Sequence, residues 1–168
     1  MQTSPSRIRA LTVFALSAGL LCSALAAGHV QVRFTEPEHF TDIGLASVDR
    51  EANLKVLASH MKTWEPRLRD NERLEIEVLD VDLAGERRPW RHANEVRVLN
   101  GRVDGPRMTL RWALKDGERV LKSGQDKLSD LAYLTSSARL RSGDALAYDL
   151  RMLEDWASAQ VLSPAGKP

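Results

Sequence analysis

The stretch Glu72–Leu83, ERLEIEVLDVDL, constrains the fold of this chain more than any other. Leu74, Ile76 and Val78 alternate with Glu75 and Glu77, the period of a strand with one buried face. After Val78 the phase changes, and Leu79, Val81 and Leu83 become the apolar positions. Counted without interruption, Asp80 and Asp82 then fall on the face that Ile76 and Val78 bury. A flip of this kind requires either a bulge or a strand covered on one face first and on the other later.

The elements around this strand can be placed from the same periodicities. HVQVRF, His29–Phe34, alternates Val30, Val32 and Phe34 with polar neighbours and reads as a short first strand. A loop follows, punctuated by Pro37 and Gly44. Ser47 is an expected N-cap for a helix carrying Asp49 and Glu51 at its positive end. Leu54, Leu57, Ala58 and Met61 form its buried stripe, with Val56 just off it, and Pro66 ends or kinks the helix near Trp64. EVRVLN gives a further short strand. Met108, Leu110, Trp112 and Leu114 then alternate into Asp116-Gly117, a strong hairpin turn, and ERVLKSGQ returns. Thr135–Gly143 is loop-like. A second helix is expected from about Asp144 to Gln160, with Leu146, Leu150, Leu153 and Ala157 on its inner stripe. Met152 and Trp156 flank that stripe and read as core rather than as a ligand box.

The order is strand, helix, four strands, helix, without an internal repeat. The first helix is long enough to be a crossover between parallel strands. The expected fold is α+β: a single domain with a mixed, mostly antiparallel sheet of about five strands, a long helix after the first strand and a C-terminal helix.

Residues 1–26 read as a signal peptide. Arg7 and Arg9 precede the apolar run ALTVFALSAGLL, and Ala24-x-Ala26 offers small residues for cleavage. A retained membrane anchor is the competing reading. Lipid attachment at Cys22 is disfavoured by the bulky Leu21 before it. Cleavage after Ala26 would remove two of the 24 basic residues and none of the 23 acidic ones, leaving a net charge of −1. That balance gives no general attraction to nucleic acid. It would also remove the single cysteine, and with it thiol catalysis, thiol redox work and thiolate metal sites. The remainder forms one domain, 27–162, with a frayed tail at 163–168, not embedded in a membrane once the signal is gone.

The succession RFTEPEHFTDIG, LEIEVLDVDLAGE, LSDLAYL and YDLRMLEDW resembles a family of small exported proteobacterial proteins known only as a domain of unknown function. Phe34, Pro37, Thr41-Asp42, DVDLAGE (Asp80–Glu86), LSD (Leu128–Asp130) and RMLEDW (Arg151–Trp156) carry the likeness. The resemblance implies export and one domain, and it transfers no catalytic residue.

Three clusters bear chemistry. Asp80 and Asp82, two apart on a strand, leave one face ~6.6 Å from each other. With Glu86 they could serve as an acid–base pair or hold a hard cation. The calcium-loop pattern fails, however, because Ala84 stands where an oxygen ligand is needed and Arg91 where the terminal glutamate belongs. The simpler reading has these carboxylates accepting loop amides or pairing with Arg87, Arg88 or Arg91. RRPWRH, with Arg88, Trp90 and Arg91, could stack a sugar or clamp an anion, or be a solvated loop with Trp90 folded back. His39, His60 and His92 lack metal-ligand spacing. Asp130, Arg151 and Asp155 are expected to form a structural charge network docking the second helix. No cofactor is expected. The functional expectation is an exported periplasmic protein, a non-catalytic binding or adaptor domain of the cell envelope with a protein or cell-wall partner. The alternative is a carboxylate-based hydrolase or divalent-cation-dependent binder using Asp80, Asp82 and Glu86.

Overall fold

The computed structural model describes residues 27–89, 95–101, 103–135 and 146–162. The elements are β1 (His29–Phe34), α1 (Ser47–Lys62), β2 (Glu72–Asp82), β3 (Glu86–Pro89), β4 (Glu95–Val98), β5 (Arg107–Asp116), β6 (Arg119–Ser129) and α2 (Ala147–Gln160). The signal-like segment, Trp90–Asn94, Asp144 and the tail lie outside the described residues.

The main sheet has four strands in the order β1-β2-β5-β6. β1 pairs with β2 in parallel through the α1 crossover, and the other two pairings are antiparallel. The expected fifth strand, β4, pairs instead with β3 in a separate two-stranded sheet. The reason is local. Only Leu83, Ala84 and Gly85 stand between the end of β2 and the start of β3, and Gly85 adopts a left-handed φ of 88° that turns the chain away from the main sheet. A side chain there would also collide, since a Cβ would lie 2.6 Å from Leu99 Cδ2 and 3.0 Å from the Val98 carbonyl.

The phase change in β2 is a bulge. Val78 pairs with Leu110 and Asp80 with Thr109, so Leu79 is the extra residue. The bulge restores the register, and Val81 and Leu83 return to the side of Leu74, Ile76 and Val78, all of them buried. Asp80 and Asp82 therefore share the open face with Glu75 and Glu77; an uninterrupted count misplaces them.

Both helices contribute to the core beneath one face of the sheet. Leu57, Met61 and Trp64 meet Met152, Leu153, Trp156 and Ala157 above Val30, Leu74, Ile76, Val78, Leu110, Trp112 and Leu114. Trp64, Trp156 and Trp112 run in a row, with ring centroids 6.2 and 5.9 Å apart. Met152 and Trp156 are thus core residues. α1 already includes Ser47, so it begins one residue earlier than a Ser47 cap requires; Ala46 is its N-cap, with no side-chain hydrogen bond. Pro66 sits in the short 3-10 turn Glu65–Arg67 that follows the helix. Among the described residues, no helix is long and apolar enough to cross a membrane.

Candidate functional site

The DVDLAGE segment forms the end of β2 and the turn into β3. Its neighbour in space is the loop before α1. Asp42 extends the parallel pairing past the end of β1: its N–H donates to the Val81 carbonyl at 2.8 Å, and its own carbonyl accepts from Leu83 N–H at 3.1 Å. Asp80 holds the same loop one residue earlier, accepting Thr41 N–H at 2.8 Å and the Thr41 hydroxyl at 3.0 Å. Asp82 pairs with Arg107 at 3.1 Å, and Arg107 also donates to the Val103 carbonyl. Glu86 pairs with Arg88 at 3.1 Å, both exposed. The three carboxylates therefore face three different partners and do not converge. Arg87, an expected partner of Asp80 or Asp82, pairs with Asp42 instead, at 3.2 Å. Trp90 and Arg91 lie outside the described residues, so the basic-aromatic cluster is placed only through Arg87 and Arg88.

The centre of this region is Arg97, on β4. Its Nη1 donates to the carbonyls of Leu83, Ala84 and Gly85 at 3.1, 3.3 and 3.0 Å and lies 3.0 Å from Asp42 Oδ2. One guanidinium so gathers three carbonyls of a tight turn that the turn itself cannot satisfy. Beneath it sits Asp149, in the first turn of α2 and only 2% exposed, accepting Ala84 N–H at 3.1 Å. Burial pushes the Asp149 carboxyl up to about 6, against the opposing pull of the Ala84 N–H and Arg97; nearby Asp42 adds to the rise.

A second cluster joins the LSD and RMLEDW segments. Arg151 Nη2 reaches Asp130 Oδ2 at 2.5 Å, and Asp130 Oδ1 accepts Ala132 N–H at 3.0 Å. This ion pair ties α2 to the loop after β6 and borders a cleft of about 710 Å3, lined also by Lys127, Thr135, Met152 and Trp156. Asp155 faces this cleft, exposed and unpaired with any described residue; it does not join the network expected of it. Along α2, Glu154 accepts the Trp64 indole N–H at 2.7 Å and pairs with Arg67. Burial raises the Glu154 carboxyl, but hydrogen bonds from Arg67 and Trp64 outweigh it and hold it below the usual range. Asp126 accepts the indole N–H groups of both Trp112 and Trp156.

The face of the sheet away from the helices is open. Glu77 lies between Arg33 and Arg111 at 2.6 and 3.1 Å, and Arg111 donates to Gln125 at 3.4 Å. The Thr35 hydroxyl, then the two arginines, hold Glu77 below the usual carboxylate range. Ala113, Ser123 and Gly124 floor a depression of about 590 Å3 beside this row. Among the described residues, no cluster of His, Cys, Asp and Glu has the arrangement of a metal site.

Residues 28–159 match the sequence family described as "Protein of unknown function (DUF3016)". The chain belongs to the DUF3016 family. No curated protein and no solved structure matches it. The family span runs from the start of β1 to the last turn of α2, so both clusters and the open sheet face lie within the DUF3016 region.

Sequence reasoning missed Arg97, Asp149 and Arg107. Asp149 carried a signal: it lies three residues after Leu146 and four before Leu153, a carboxylate on the apolar stripe of α2. Arg97, in the short segment EVRVLN, carried none that separates it from an ordinary surface arginine.

Proposed function

We propose that this DUF3016 protein is exported to the periplasm and that its domain binds a protein or cell-wall partner without catalysing a reaction. The observation that carries this reading is the dispersal of Asp80, Asp82 and Glu86 onto Thr41, Arg107 and Arg88. Hydrolysis by paired carboxylates needs two acids facing one substrate, and a hard cation needs several oxygens around one point. Here Asp80 holds the loop before α1, Asp82 ties β2 to β5 and Glu86 pairs within β3. The surface left for recognition is the open sheet face, where Arg33, Glu77, Arg111 and Gln125 offer a polar row beside a small-residue floor. The Arg7/Arg9 segment, the apolar run and Ala24-x-Ala26 support export.

A photo-crosslinking residue at Ala113, on β5 and away from the β6 edge, introduced into the protein expressed in its own envelope, tests the binding half. A discrete adduct, lost on Arg111→Glu, is expected. Intact mass of the same preparation tests export, and a chain beginning at or within a residue or two of Ala27 is expected. A full-length mass, or a lipid on Cys22, contradicts the exported soluble form, and the absence of any adduct contradicts partner binding at this face.

A further inference from the structure

The two edges of the sheet are treated differently. β1 is six residues long, and Glu65 covers it: the carboxylate accepts Val30 N–H at 3.1 Å and pairs with His29 at 2.9 Å. β6 is 11 residues long, exposed or half-exposed throughout, and hydrogen-bonded as a strand to β5 alone. Among the described residues, no group caps its outer backbone edge. A bare edge of this length presents a row of N–H and C=O groups ready to pair with another strand.

We infer that β6 is a self-association edge: it pairs antiparallel with β6 of a second copy of this chain, on a two-fold axis at Gly124. Charge chooses both the occupant and the register. An antiparallel pair of identical strands places one residue opposite itself and sets its neighbours symmetrically about that point. With Gly124 at the centre, Lys122 of each copy faces Asp126 of the other, Ser123 faces Gln125, and Leu121 faces the stem of Lys127. Centring on Lys122 or Asp126 sets like charges against each other. Centring on Ser123 opposes Arg119 to Lys127, and centring on Gln125 leaves Lys122 opposite Leu128 with no ionic partner. Among these five registers, only the one at Gly124 forms two opposite-charge pairs and no like-charge pair.

The surroundings fit that register. Lys122 and Asp126 stand on the helix-covered side of the sheet, where Lys122 reaches only the exposed Gln160 carbonyl at 3.4 Å. Asp126 takes both indole N–H groups on Oδ2, which leaves Oδ1 for an ammonium across the junction. Gly124 at the axis lacks a Cβ, and a Cβ there would press on the Trp112 ring at 3.1 Å, so the centre of the junction is flat. The junction would continue the two four-stranded sheets as one of eight. It uses strand-edge backbone groups and so does not depend on what binds the open face.

Sedimentation equilibrium of the purified protein tests this. A monomer–dimer equilibrium is expected, weakened roughly ten-fold or more by Lys122→Glu, which turns both ionic pairs repulsive. Because Lys122 is exposed, the variant keeps its fold, and an unchanged melting curve verifies that. A Cys22→Ser background carrying Ser123→Cys, mixed with one carrying Gln125→Cys, should form a disulfide between copies on oxidation; either variant alone should cross-link far less. A monomer at every concentration overturns the inference, as does a dimer indifferent to Lys122→Glu. A β6 edge occupied by a different protein in envelope extracts, while the purified chain stays monomeric, overturns it equally.

Discussion

Replacing Asp149 by Asn makes the clearest test of how the turn at Ala84 is held. Asp149 is buried at the start of α2, and its carboxyl titrates near 6 in the fold against an ordinary value of 3.8. That move, at about 1.4 kcal/mol per pH unit, amounts to about 3 kcal/mol. The direction matters. A folded carboxyl with a raised pKa binds its proton more tightly than the unfolded chain does. Its stabilising contribution is therefore complete at low pH and is lost as pH rises from about 4 through about 6. Asn keeps a side-chain carbonyl for Ala84 N–H and carries no charge at any pH, so it removes this slope. Chemical unfolding of native protein and Asp149→Asn at pH 4.5 and 7.5 gives the comparison. The variant should gain on the native protein by roughly 2 kcal/mol between the two pH values, corresponding to about 7 °C in melting temperature for a domain of this size. Groups that titrate in both proteins, including half-buried His60, cancel in the difference. Parallel pH profiles would show that Arg97 and the Ala84 N–H already compensate the buried charge, and the account of Asp149 would be wrong.

Two further outcomes follow from the same geometry. Leu153, fully buried where α2 meets the sheet, should cost about 2–5 kcal/mol on truncation to Ala, read as a lower urea midpoint at unchanged slope; a loss under 1 kcal/mol would mean that α2 is not docked as described. Calcium, magnesium or manganese should leave the melting temperature unmoved, because Asp80, Asp82 and Glu86 face separate partners; a site filled at ~100 times its dissociation constant would add about 2.7 kcal/mol, and an upward shift abolished by Asp82→Asn would refute the dispersal argument.

How much of this was legible depended on whether a residue's role was set by its neighbours in sequence or in space. The strands of the hairpin, the α1 crossover and the stripe of α2 followed from periodicity, because burial of one face writes a period of 2 or 3.6 into the chain itself. The phase change at Leu79 was visible too, but its meaning was not. Both a bulge and a strand buried first on one side and then on the other produce the same letters, and only the pairing with Leu110 and Thr109 separates them. β4 illustrates the opposite limit. EVRVLN reads as a strand, and it is one, but a four-residue strand carries no record of its partner, so its place in the β3–β4 ribbon could not be read.

The charge network shows the same division more sharply. Asp130 and Arg151 were expected to meet because each lies in a distinctive segment, and they do. The sequence has Asp80 and Asp82 accept loop amides or pair with arginines near in sequence; Asp80 does take the Thr41 amide, whereas the fold gives Asp82 to Arg107, 25 residues on, and Arg87 back to Asp42, 45 residues earlier. The bulge is the cause. By returning Val81 and Leu83 to the core it turns Asp80 and Asp82 to the open face, where Thr41 and Arg107 are their neighbours, and it leaves the Leu83–Gly85 carbonyls pointing at β4. Arg97 then has a function no local pattern announces: one of its nitrogens lies within hydrogen-bond reach of three carbonyls and Asp42, sharing two N–H groups among them. One inserted residue in β2 thus decides which charges hold the DVDLAGE turn and which face is left for a partner. It also explains why a segment that looks like an acidic site in sequence becomes a set of separate fastenings in the fold.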